Sequence, residues 1–209
     1  MNIFAVSQDP ILTARVLPDK LVVKMQLEMA QCLSVALANR GVIPALPKFK
    51  REFIFNLSAH ARTKKMAAEF VASTHVRQFT ERPLYKPSHA HHPAVLWLSE
   101  SMENCAWGCA HGLELCEEYM RRYGVKEHGA WWPLANARYV ILDATGANSL
   151  YELYVNATPT PMSMPDDLKG PNNSWSSVTA SYRRYIETKS YVQDGAGYTR
   201  KLATYSKAR

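Results

Sequence analysis

Apolar residues recur along this 209-residue chain mostly at spacings of three and four. That is the period of a helix with one buried face. Asp9-Pro10 is the first start signal, with Asp as cap and Pro at the first helical position. A short helix runs from there to Leu17, where Pro18 stops it. Asp19 then caps a second helix, in which Val22, Met25, Met29, Leu33 and Ala36 form one apolar stripe. Gly41 ends it, and Pro44 and Pro47 keep the chain extended. The clearest pattern opens at Pro93 and closes at Gly124. Within it Met102, Ala106, Cys109, Leu113, Cys116, Met120 and Tyr123 alternate spacings of four and three. This predicts one long central helix with Cys109, Leu113 and Cys116 inside. Gly108 and Gly112 each cost it about 1 kcal/mol relative to Ala, which calls for another backbone packed close against them.

The remaining segments carry weaker patterns. Residues 62–72 form a helix if Met66, Ala67, Phe70 and Val71 share a face. Residues 82–93 contain three prolines and read as a loop. Residues 138–143 and 150–155 look like strands around a Thr-Gly-Ala-Asn turn, although the first also suits a helix after Pro133. Residues 158–173 are a loop rich in Pro, Asp and Asn. A last helix spans about 176–190, and residues 190–209 are a basic tail. The expected fold is mainly α: a single compact helical domain over 1–209 around a long central helix, with one small β-hairpin left open.

Composition supports one sizeable core, at 47% hydrophobic and 21% charged residues. The formal net charge is +7, and it is unevenly spread. Residues 1–93 hold 13 Lys/Arg against 6 Asp/Glu, residues 94–177 hold 5 against 10, and residues 178–209 hold 7 against 2. Two basic segments flank an acidic middle. Brought together they would make a positive face suited to DNA, or to a free nucleotide; apart, they are ordinary solvated surface. No run reaches the roughly 18 apolar residues of a membrane span, so no membrane partner is expected. The four cysteines suggest no disulfide framework, and the first residues do not resemble a secretory leader. Both point to a cytoplasm, that of the host if the protein is viral.

Several groups of residues invite chemistry. Cys105, Cys109, His111 and Cys116 include metal-ligand types, but structural zinc sites use closely spaced pairs on turns. Buried cysteines in a core helix are the better reading, and no metal or organic cofactor is expected. His89, His91 and His92, with Lys86 nearby, precede a helix whose free amides attract anions. They would grip a phosphate, or else one caps the helix and the others face solvent. Glu28 sits in the run Met25-Gln-Leu-Glu-Met-Ala-Gln31, one turn from Lys24 and from Gln31. A carboxylate so placed serves as a base or stabilises a developing cation; an exposed Lys–Glu pair has the same pattern. The stretch from Ser181 to Lys189 mixes aromatics with cations that suit bases and phosphates. Tyr182, Tyr185 and Lys189 share a face, which equally suits packing on the core.

Four blocks carry a family resemblance. They are Met1-Asn-Ile-Phe4 leading to Asp9-Pro10; Asp19-Lys-Leu-Val-Val-Lys-Met25 continuing to Glu28 and Gln31; Tyr85-Lys-Pro-Ser-His89 with His92-Pro93 and Trp97; and Glu117-Glu-Tyr119 with Arg122-Tyr-Gly124. Met164-Pro-Asp166, Lys169 and Ser181-Tyr-Arg183 extend them. These blocks resemble a group of short phage and virus proteins. That group is distantly similar to the pyrimidine-dimer DNA glycosylases of the phage endonuclease V type. The resemblance implies a compact helical protein whose N-terminal amine attacks the sugar C1′ beside a helical glutamate. A Schiff base forms, and the strand then breaks by β-elimination.

Glu28 falls at the glutamate position of that family. The histidine expected seven residues earlier is Leu21 here. Asn2 is bulky enough to disfavour removal of Met1, so the amine would belong to Met1. The resemblance thus implies a DNA-acting N-glycosylase/lyase or related base-processing enzyme, with Glu28, Met1 and Asn2 at the reacting centre. Lys20, Lys24, Gln31, Lys86, His89, His92 and Arg183 would hold phosphates or sugar. Two other classes stay open: an enzyme acting on a free nucleotide or modified pyrimidine, and a non-catalytic DNA-binding or virion-associated protein. Leu21 and Asn2 suit the last.

If the basic segments bind DNA, affinity falls steeply with salt, because each neutralised phosphate releases counterion. Replacing Lys64 and Lys65 by Ala should flatten the slope of log K against log salt. Binding that ignores salt, or no binding, would remove DNA as the partner.

Overall fold

A computed structural model describes residues 2–42, 85, 89–124 and 128–189. The proposed helix 62–72, Lys64, Lys65, Lys86, Met1 and the basic tail lie outside the described residues. Seven α-helices are present among those described: α1 (Pro10–Val16), α2 (Asp19–Asn39), α3 (Pro93–Glu100), α4 (Met102–Tyr123), α5 (Trp131–Thr145), α6 (Leu150–Tyr154) and α7 (Trp175–Glu187). A 3-10 turn covers Asp166–Leu168. No strand occurs among the described residues, so the fold is mainly α.

The first two helices form where their punctuation places them. Asp9 caps α1, its Oδ1 accepting from the amides of Ile11 and Leu12. Pro18 follows the end of α1, and all five stripe residues of α2 are buried. Gly41, in the left-handed region at φ +69°, follows the end of α2. Asp19 is not the cap. It is the first residue of α2, and its carboxylate instead receives Arg122 Nη1 at 2.9 Å. By length and composition α2 could cross a membrane, but 67% of that apolar window is buried inside the fold.

The long pattern from 93 to 124 is two helices, not one. Ser101 is extended, at φ −150° and ψ 160°, and its hydroxyl caps α4 at the Asn104 amide. The break leaves the last carbonyls of α3 without helical donors. Asn104 Nδ2 takes Trp97 O, Cys105 Sγ takes Leu98 O, and Arg40 Nη1 takes Ser99 O. Periodicity alone misses such a break because the stripe continues across it; Ser101 as an N-cap was the available signal.

α4 is the centre, and α1, α2, α3, α5 and α6 all pack on it. Its first half is buried on every side, from Asn104 to Gly112, as expected of a helix enclosed by others. Of the three residues expected inside, Cys109 and Cys116 are fully buried, while Leu113 is only partly so. The glycines admit side chains rather than a backbone. A Cβ on Gly108 would lie 2.6 Å from Leu98 Cδ2, and one on Gly112 would lie 2.7 Å from Leu134 Cδ2 and 3.1 Å from Met29 Cγ.

The expected hairpin is absent: residues 138–143 lie in α5, and 150–154 form α6. The Thr-Gly-Ala-Asn turn is the end of a helix. Gly146 adopts φ +70° and donates to Leu142 O at 2.8 Å. Ser149 then caps α6 at the Glu152 amide while Glu152 Oε2 accepts from Asn148 N, close to a capping box. Residues 158–173 are the expected loop apart from the 3-10 turn, and α7 starts one residue early, at Trp175.

Gly112→Ala gains about 1 kcal/mol of helix propensity but forces a methyl against the fully buried Leu134. Overpacking of this kind costs about 1–3 kcal/mol, so a net loss of stability is expected in chemical denaturation. A variant at least as stable as the wild type would show that Leu134 can yield.

Candidate functional site

The first residues of the chain are part of the core. Ile3, Phe4, Ala5 and Val6 are all buried, and α7 fastens the segment through Asn2, Phe4 and Val6. Tyr182 OH lies 2.7 Å from Asn2 Oδ1, and Asn2 Nδ2 donates to Ser163 O at 2.6 Å. Phe4 stacks on Tyr185 with ring centroids 5.8 Å apart, and Lys189 Nζ covers the other ring at 3.7 Å. Arg183 donates from Nε and Nη2 to the Val6 carbonyl at 3.1 and 2.9 Å. Phe4 holds φ +52°, a conformation an aromatic residue rarely adopts. Its burial against two tyrosines keeps it there.

Beneath this segment lies His111, fully buried on α4. Its Nδ1 is 3.2 Å from the Pro10 carbonyl, and Trp107 lies against its ring at 5.2 Å. Burial pushes its pKa down to about 4, against the opposing pull of the Pro10 and Ile3 backbone. Trp107 is itself enclosed. It meets Trp97 edge-on and stacks on Trp175, and its indole nitrogen donates to Gln8 O at 2.7 Å.

α2 carries the candidate carboxylate. The Glu28 side chain is only 13% exposed, whereas its partner Lys24, whose Nζ lies 3.0 Å from Oε1, is 68% exposed. The pair is therefore asymmetric: an enclosed carboxylate and a solvated ammonium. One turn further on, Cys32 has its thiol pKa pushed up to about 12. Burial is the main cause, the Glu28 charge adds to it, and the positive charge of the N-terminus opposes both. Lys20 is exposed and Gln31 half-buried on the same helix, so Lys20, Lys24, Glu28 and Gln31 form one ribbon.

The other candidates are placed differently. His92 caps α3, its Nδ1 accepting from Ala94 N at 3.1 Å, while His89 and His91 are exposed. His89 sits at φ +60°. Tyr182 is fully buried, Arg183, Tyr185 and Lys189 are half-buried and Arg184 is exposed, so only the Tyr182 side of α7 packs fully inward. Cys32, Cys105, Cys109 and Cys116 are free and buried. No cluster of three or more His, Cys, Asp or Glu suited to a metal occurs among the described residues.

An ion-pair group joins the far end of α4 to α1 and α2. Arg122 Nε donates to Glu118 Oε2 at 2.7 Å, and its remaining nitrogens reach Asp19 and the carbonyls of Leu17 and Arg15. Arg121 also contacts Glu118, and Glu114 pairs with Arg15. Arg122 thus caps the C-terminus of α1 while neutralising a buried Glu118.

No local pattern marks Ser163, Arg122 or His111 as groups that join distant elements. Arg122-Tyr-Gly at a helix end was the one available hint, since cations favour that end. The chain is mainly α-helical, with its N-terminal segment built into the core against α7. Comparison with family models, curated proteins and solved structures finds no match for it.

The His111 ring sets a pH window. The unfolded chain takes up a proton near pH 6.5, whereas the folded one resists until about 4. The contribution of the neutral ring is complete above that window and is lost as pH falls through it, by up to about 3 kcal/mol. His111→Asn should show a shallower fall in unfolding free energy between pH 7 and pH 4.5 than the wild type. Parallel curves would mean that His111 protonates as easily in the fold as outside it.

Proposed function

We propose that this chain is a DNA-acting N-glycosylase/lyase, or a related base-processing enzyme, of a phage or virus. The observation that carries this reading is the state of Glu28 on α2: its carboxylate is nearly enclosed and pairs with a solvated Lys24, in a helix whose edge also bears the exposed Lys20. In the proposed reaction the Met1 amine attacks C1′. The glycosidic C–N bond breaks, and the base leaves with the electron pair and takes up a proton. The C1′–O4′ bond then opens, with O4′ taking up the amine's proton, to give an iminium at C1′; loss of a C2′ proton and cleavage of the C3′–O bond then expel the 3′ phosphate. Glu28 opposes the positive charge that develops on the sugar. Lys20, Lys24 and Gln31, on the same ribbon, hold phosphate or sugar, and DNA is the partner.

A second reading is a non-catalytic DNA-binding protein. What favours it is that Lys24 already pairs with Glu28 and Arg183 holds Val6 O. Both side chains then serve the fold.

Borohydride trapping on damaged or abasic DNA separates the two, since only a Schiff-base enzyme becomes cross-linked. Glu28→Gln should lower the rate by about a hundredfold or more, as for loss of one preorganised electrostatic group. Its melting temperature should move little by comparison, because Gln keeps the size of the side chain and its capacity for hydrogen bonds while relieving the burial of a charge. One residue added before Met1 should abolish trapping. A wild type that cross-links, with both variants equally active, would remove Glu28 and the amine from the site. Salt-dependent binding with no trapping would favour the second reading.

A further inference from the structure

We propose that Tyr119 and Tyr123 form a stacking platform for an unpaired base of single-stranded DNA, at the end of the α2 ribbon. The inference rests on DNA as the partner, which both readings above share, and not on which of them holds. Three rings are joined there. His128 is fixed first, because its Nδ1 accepts from the Ala130 amide at 3.1 Å. Tyr119 meets that imidazole edge-on at 5.2 Å, and Tyr123 lies 5.2 Å from Tyr119 with the ring planes tilted by 43°. His128 and Tyr119 are half-buried, while Tyr123 is 44% exposed. Gly124 follows α4 in the left-handed region, at φ +59°, so the helix stops directly after the Tyr123 ring. The stack is ordered from inside and exposed at its last ring. A platform held in this way loses little entropy when a base lies on it.

Charge identifies the occupant. Arg122, next to Tyr123 in the chain, places Nη1 2.9 Å from Oδ1 of Asp19, the first residue of α2. Lys20 follows Asp19, Lys24 follows one turn later, and both are exposed. The outer ring and the first lysine therefore each stand one residue from the same ion pair. Arg121, also 55% exposed, precedes it. The carboxylates of this region are engaged: Glu114 and Glu118 pair with Arg15, Arg121 and Arg122, and Asp19 with Arg122, while Glu117 is half-buried. An aromatic ring bordered by solvated cations suits a base and its phosphates, since every base has a π face and every linkage a charge. The other exposed aromatic pair lacks this setting. Tyr151 is 64% exposed and meets Tyr154 at 5.4 Å, but no Lys or Arg lies between Arg138 and Lys169 in the chain. In an intact duplex both faces of a base are covered by its neighbours, so the platform fits DNA whose bases are unpaired.

The test is equilibrium binding of a fluorescent oligothymidine, and of an intact duplex of the same length, followed by anisotropy across a salt series. Tyr123→Ala should weaken binding of the single strand about tenfold or more, as for loss of one base stack, and binding of the duplex less than about twofold. Retained duplex binding also shows that the variant is folded. Tyr123→Phe keeps the ring and should restore single-strand affinity to within about twofold. Tyr151→Ala should leave it unchanged. The slope of log K against log salt should be the same for Tyr123→Ala as for the wild type. Lys20→Ala should instead flatten it by about 0.7, the share of one phosphate on a single strand. A wild type and a Tyr123→Ala variant that bind the single strand equally well overturn the proposal. So does an equal loss on the duplex, which marks a backbone contact. A DNA-free protein whose sedimentation mass falls on Tyr123→Ala also overturns it, since the surface is then a contact between copies. If the wild type binds neither DNA, DNA is not the partner, and this inference falls with that reading.

Discussion

The first half of α4 has no solvent side, and the rest of the structure is arranged to satisfy that constraint. A helix enclosed all round must be covered from several directions, and α1, α2, α3, α5 and α6 each supply a share. Gly108 and Gly112 let Leu98, Met29 and Leu134 approach the axis. The polar groups that α4 carries into this space have assigned work. Asn104 ties Trp97 O to Thr158, and His111 meets the Pro10 carbonyl. Buried polar groups are tolerated when bonded, and these bonds join distant parts of the chain to the central helix.

Coverage of α4 extends to residues that are usually peripheral. Residues 3–6 belong to the hydrophobic core, and the chain reaches α1 only after passing beneath α7. The strained backbone at Phe4 is sustained because Tyr182 and Tyr185 hold its ring. At the opposite end of α4 the same problem is solved with charge. Arg122 satisfies the end of α1, the first residue of α2 and a buried carboxylate together. An apolar residue there would take the donor away from Glu118 Oε2 and from the Arg15 and Leu17 carbonyls at the end of α1.

These arrangements bear on the activity proposed above. A terminal amine can act as a nucleophile only if it is held still and kept near its electrostatic partner. Residues 3–6 are buried in the core, and under the proposed reaction their burial would serve the first condition. The enclosed carboxylate of Glu28 beside Cys32 is the means proposed for the second. Lys20 and Lys24 are exposed along this helix, and theirs is the edge proposed to meet an anionic backbone.

The sequence by itself determined which segments are helical at their clearest: Asp9-Pro10, the stripe of α2, and the burial of Cys109 and Cys116 are local patterns of cap and period. It also carried the capping signals at Ser101 and Ser149, although the apolar stripe across 101 and the β-branched run at 140–141 outweighed them in a reading by period. Glu28 and its ribbon were legible because Lys20, Lys24 and Gln31 lie one or two turns away along one helix. Only the tertiary structure decided that Tyr182 meets Asn2, that Arg183 meets Val6, and that His111 turns toward Pro10. Those pairs are separated by 180, 177 and 101 residues, and no local period encodes a contact between elements that meet only when the core closes.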